Sequence, residues 1–180
     1  MALDAPSVTH RILSADFYTS SYRIVGKAMV PNSGIVGLLN DSTHSYMEIL
    51  DARLARLHMP SKLVSHYEVI RLVKSQIFAV ALSRREDLGP QAIARGGYAR
   101  LTEYPVNITS SVYELDGILE WAGRLDFSTF MVEGSRDFLP VYSASLSAIL
   151  IPALKAESPA ILFNRRQVDI LALTNQKIED

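Results

Sequence analysis

Along the first eighty positions, apolar residues alternate with polar ones more often than they follow a helical period. Val8–Phe17 and Tyr22–Val30 read as strands rich in Thr, Tyr, Val and Ile, and Thr19-Ser20-Ser21 supplies the break between them. Pro31-Asn32-Ser33-Gly34 is a turn signal. Residues 35–40 fit a short amphipathic helix or a short strand, and Asn40-Asp41-Ser42 ends the segment. Tyr46–Leu57 places Met47, Ile49 and Asp51 on one face of a strand. A helix is the rival reading there, because Ala52, Arg53, Leu54, Ala55 and Arg56 are good helix formers. Pro60 closes that element, and Tyr67–Val73 with Ile77–Leu82 reads as a hairpin across Lys74-Ser75-Gln76.

A connector follows at residues 88–103, opened by Leu88-Gly89-Pro90, and Pro90 is placed to begin one turn of helix. Beyond it the strand pattern resumes. Val106–Tyr113 reads as a strand, Asp116-Gly117 as a turn, Ile118–Ala122 as a short segment and Phe127–Glu133 as another strand. Ser143–Leu154 alternates on a Ser/Ala background. Ala160–Phe163 and Val168–Leu173 read as a closing hairpin.

The two stretches share a pattern. Val69–Leu82 and Ala160–Leu173 are each an apolar run, a polar break containing a base and a Gln, and a second apolar run. Upstream, Gly34-Ile35-Val36 answers Gly117-Ile118-Leu119, Ile49–Ala52 answers Met131–Gly134, and Leu57 answers Leu139, which implies an insertion near Val141–Ala153. The fold expected is therefore mainly β: two tandem small SH3- or Sm-like barrels packed as a pseudo-dimer, with little helix. The units would be residues 1–87 and 104–180. Units of this size are usually small open or closed barrels, because closing removes exposed strand edges.

Composition narrows the class. Of 180 residues, 48% are hydrophobic and 21% charged, which suits a globular chain rather than a disordered one. With no cysteine, neither a disulfide scaffold nor a thiolate metal site can form. Met1–Pro6 lacks the basic flank and long apolar run of a signal peptide, and Ala148–Leu154 is too short to span a bilayer, so a cytoplasmic location is expected. Net charge is −1, with 12 Lys/Arg against 9 Asp/Glu in residues 1–103 and 6 against 10 in residues 104–180. Neither stretch has the basic excess that nucleic acid rewards through counterion release. Opposite charge would favour head-to-tail contacts.

Candidate chemistry is sparse. No phosphate-binding Gly-rich loop, nucleophile elbow or zinc-protease motif occurs. His10, His44, His58 and His66 lack the close carboxylate spacing of a metal site, and no catalytic residue or cofactor is expected. The equivalent polar breaks are the candidate binding positions: Lys74, Gln76, Arg165, Arg166 and Gln167. The two arginines have the geometry to grip a carboxylate or phosphate, while the alternative is a turn whose Gln satisfies backbone groups. Tyr142, Leu146, Ile149 and Ile151 are the candidate interface residues, on an extra strand expected to invite self-association.

Tyr22-Arg23-Ile24-Val25-Gly26, Leu39-Asn40, Asp51-Ala52 and Leu72-Val73-Lys74-Ser75-Gln76-Ile77 resemble a small bacterial β-domain family of uncharacterised function, with Phe163–Val168 as the counterpart in the second stretch. Gly34–Leu38 followed by Tyr46–Asp51, with Val69-Ile70-Arg71 and Ile77–Val80, resembles Sm-like barrels. In those, Gly rather than Leu72 would follow Arg71 in the RNA-contacting loop. The first resemblance implies no activity. A non-enzymatic interaction or assembly module, with a protein partner or a second copy, is the function expected; an Sm-like nucleic-acid binder is the alternative.

Overall fold

The computed structural model describes residues 9–93, 100–132, 134 and 136–174. Among the described residues ten strands form one open antiparallel sheet. The first five are β1 (Arg11–Thr19), β2 (Tyr22–Val30), β3 (Tyr46–Arg56), β4 (Leu63–Val73) and β5 (Ile77–Leu82). The second five are β6 (Leu101–Thr109), β7 (Tyr113–Ala122), β8 (Phe138–Ala148), β9 (Ile151–Asn164) and β10 (Ile170–Leu173). Helix α1 (Gly34–Asn40) links β2 to β3, α2 (Pro90–Ile93) lies in the connector, and α3 (Phe127–Met131) links β7 to β8. Strand order is β10-β6-β7-β8-β9-β5-β1-β2-β3-β4. Among the described residues no helix is long and apolar enough to cross a membrane.

The mainly β expectation holds, and the closed barrels do not. The two stretches are not packed as separate closed units either: β5 and β9 pair directly, so one sheet runs through both. The expected hairpins at Lys74-Ser75-Gln76 and at Arg165-Arg166-Gln167 are likewise corrected. Each triplet is a 3-10 turn, and β4 lies four strand positions from β5, as β9 does from β10. Four flat strand spacings are roughly 19 Å, whereas the link from Val73 to Ile77 reaches only about 14 Å fully extended. Each set of five strands must therefore curl steeply. The curl stops short of closing, with no pairing between β4 and β5.

Local chemistry accounts for the segments read differently from sequence. Residues 35–40 are helical, and residues 46–56 are strand, the preferred reading there. Phe127–Met131 is helical rather than extended because the Asp126 side chain accepts from the Ser128 N–H and caps the turn. Asp116-Gly117 is not a turn but lies inside β7, opposite an irregularity in β8. A Cβ at Gly117 would collide with the Val141 side chain and the Tyr142 carbonyl; one at Gly26 would collide with Ile49 and the Leu50 carbonyl. The residues that bend the partner strands at these points, Asp51 and Ser143, have φ of 49° and 46°.

These pairs share an offset of 91 or 92 residues, as do the hairpin caps Thr19 and Ser110, whose hydroxyls accept from Ser21 and Tyr22 and from Val112 and Tyr113. The upstream parallels at a shorter offset do not fall on matching elements. Gly34 opens α1 while Gly117 sits in mid-strand, and Met131 ends a helix while Ile49 lies in β3. The expected insertion near Val141–Ala153 is ordinary β8–β9 hairpin, the positional counterpart of β3–β4.

Two cores lie on the sheet, and strands β5 and β9 feed both. Ala160 and Leu162 of β9 join Ile77, Val80 and Leu82 in a core with Phe17, Ile35 and Ile49. Ile161 and Phe163 join Phe78 and Ala79 in the other, with Tyr113, Leu115 and Phe130. Successive strand residues point to opposite faces, so a single junction seals both cores.

Candidate interaction site

The two 3-10 turns meet beside the β5·β9 junction. Gln167 Nε2 donates to the carbonyls of Ser75, at 2.6 Å, and Ile77, at 3.1 Å. Asn164 Nδ2 donates to the Ile77 carbonyl at 3.1 Å, and its Oδ1 accepts from the Arg166 N–H. The sequence-selected polar positions are thus brought together, but with unequal roles. Lys74 is buried; its Nζ donates to the Asp41 carbonyl just past α1 at 2.8 Å, and burial lowers its pKa against the opposing pull of Asp41. Arg165 is buried in the corresponding place at the end of α3, donating to the carbonyls of Phe130 and Gly134 at 3.2 and 2.7 Å. Arg166 is exposed and donates to Asp137 at 2.7 Å. Gln76 is exposed, and no side-chain hydrogen bond to it occurs among the described residues.

A cleft of about 280 Å³ opens between these turns, lined by Asn40, Asp41, Ser75, Asp137, Asn164 and Arg166. The Asn40 side chain spans it, donating to the Phe138 carbonyl at 3.0 Å and accepting from the Phe138 N–H at 2.8 Å. Asp41 is held well below the usual carboxylate range by hydrogen bonds from the Thr43 hydroxyl, the Thr43 N–H and the His44 ring. Every charged group here is thus engaged within the protein. Among the described residues no three His, Asp or Glu side chains gather into a metal-binding group.

The four candidate interface positions divide. Leu146 and Tyr142 are buried in the sheet, and Arg85 stacks over the Tyr142 ring with its guanidinium carbon 3.7 Å from the centroid. Neither is free to meet a partner, because the strand that carries them is interior, between β7 and β9. Ile149 is exposed and Ile151 half-buried at the β8–β9 turn.

The open edge lies elsewhere. Strand β4 ends the sheet and exposes Leu63, Val64, Tyr67, Val69 and Val73, while β10 ends the other side with Ile170 exposed. Their apolar composition is visible in the sequence. Their edge position is not, because it depends on strand order. The sequence matches no protein-family model, and comparison with curated proteins and with solved structures gives no match.

Proposed function

We propose that the protein is a non-enzymatic assembly module built from two duplicated β units, acting through the edges of its sheet. The observation that carries this reading is β4: eleven residues, unpaired on one side among the described residues, with five large apolar side chains exposed and no proline to blunt the edge. Such an edge offers unsatisfied backbone groups and apolar contacts together, which is what strand addition by a partner uses. Support for the duplication comes from the recurring order of elements and the equivalent glycines, caps and helix-end bases.

The Sm-like nucleic-acid reading has less behind it. Net charge is −1, and Arg11, Arg23, Arg84, Arg85 and Arg166 face carboxylates at 3.0 Å or less. A photo-reactive amino acid at Tyr67, irradiated in the source cell, should give a discrete protein adduct, while the same group at Glu114 should not. A nucleic-acid adduct, or none, would count against the assembly reading.

A further inference from the structure

The β5·β9 junction and the two outer edges are related by position. In the junction Ala79, Val80, Ala81 and Leu82 pair with Phe163, Leu162, Ile161 and Ala160. The opposite side of β5 pairs with β1 so that Ala15 meets Leu82 and Tyr18 meets Ala79. β10 pairs with β6 so that Val106 meets Leu173 and Thr109 meets Ile170. Every one of these partners is offset by 91. The outer side of β10 is therefore the counterpart of the β5 side that β9 covers, and the outer side of β4 is the counterpart of the β9 side that β5 covers.

Exposure follows the same correspondence. Ala160 is 0% exposed in the junction and its counterpart Val69 is 48% exposed; Ala79 is 0% exposed and its counterpart Ile170 is 57% exposed. Gln167 ties the junction to the carbonyls of Ser75 and Ile77, whereas its counterpart Gln76 faces solvent beside the β4 edge.

We propose that β4 of one copy pairs with β10 of the next, in the register of the internal junction. Leu72, Arg71, Ile70 and Val69 then stand opposite Ile170, Leu171, Ala172 and Leu173 of the next copy, and Gln76 donates to the carbonyls of Arg166 and Val168 of that copy. Arg71 takes the place of Leu162; its stem lies along the contact while its head keeps Glu48, 3.4 Å away. The contact is heterologous, so repetition yields a ring or an open filament rather than a two-fold dimer. The inference rests on reading the chain as an assembly module and names the partner as a second copy.

The test uses the full chain in a concentration series followed by native mass spectrometry and sedimentation. Wild-type protein should grow in mass with concentration. Val69→Asp and Ile170→Asp each place a charge where the contact is dry, and each alone should stay monomeric. Half-assembly should move to about 100-fold higher concentration or beyond. Mixed in equal amounts they should form a dimer and stop there, because each variant supplies the edge that the other lacks. Gln76→Ala should raise the half-assembly concentration roughly tenfold with the thermal midpoint unchanged, a readout independent of how the aspartate variants fold. A wild-type chain that stays monomeric throughout overturns the inference. So does dimerisation of either aspartate variant alone, which would mean β4 on β4 or β10 on β10. If the monomer nonetheless forms a discrete adduct with another protein at Tyr67, the assembly reading stands and only the second-copy partner is lost.

Discussion

Lys74 and Arg165 show how far a residue type can mislead about its task. In sequence both are bases beside a Gln, a pattern that suits anion binding. In the fold each reaches back to carbonyls at the end of the short helix of its own five-strand set, where the last turn leaves acceptors without intrahelical partners. Arg165→Met should therefore destabilise the protein by about 1–3 kcal/mol by orphaning two carbonyls, read as a lower midpoint in chemical denaturation. Gly117→Ala and Gly26→Ala should each cost about 1–3 kcal/mol, because the added methyl meets a side chain and a carbonyl on the adjacent strand. Gly134→Ala meets nothing within 4 Å, but its φ of 93° makes it a test of backbone strain rather than of packing.

At the scale of elements, alternation made β2 and β3 legible, and the Thr19-Ser20-Ser21 break falls on the β1–β2 hairpin turn. The 3-10 turns were not legible as crossings. An apolar run, a polar triplet and a second apolar run fit a hairpin equally well, and only the curl of the sheet decides between them. Helix α3 was misread for a related reason: Phe127, Thr129 and Val132 favour extension, but a capped turn of five residues is too short for propensity to govern.

The junction between elements carries its own pH prediction. The ring of Tyr113 stacks on Phe78 at 5.3 Å and meets Tyr18 edge-on at 6.0 Å, and its hydroxyl donates to the Thr19 carbonyl at 2.6 Å. Burial pushes the Tyr18 phenol up to about 12, with Asp16 adding to the effect, and pushes Tyr113 up as well. Well below pH 10, the ordinary value, both phenols stay protonated in the folded and in the unfolded chain, and their full contribution to stability is present. Above it the unfolded chain releases protons that the folded one retains, so stability falls as pH rises from about 10 towards about 12. Midpoints measured across that range should drop steeply in wild type and less in Tyr113→Phe, which keeps the stack and lacks the ionising group.

For the whole molecule, the sequence pattern led to an expectation of two small units packed as a pseudo-dimer, and the paired β5 and β9 argue that neither five-strand set is self-sufficient. Fragment 1–89 would lose Phe138, Tyr142, Ala160 and Leu162 from its core, and fragment 100–180 would lose Tyr18, Leu57, Phe78 and Ala79. Each loss removes four buried side chains from a core and exposes an interior strand edge at once. Burying a large apolar side chain is worth about 1.5–3 kcal/mol, and a domain's whole margin is about 5–15 kcal/mol, so the missing contacts rival the stability that a half-sized unit could muster alone. The Asn40–Phe138 pair of hydrogen bonds adds a polar tie across the same divide. The intact chain should therefore unfold in one transition, with fluorescence of Trp121 in the second half and far-ultraviolet dichroism of the whole sheet changing together. Each fragment alone should be unfolded or aggregated, and the two expressed together should recover the native spectrum. Two separated transitions in the intact chain, or a soluble and cooperatively folded fragment, would mean that the curl of each five-strand set suffices and that the junction joins finished units.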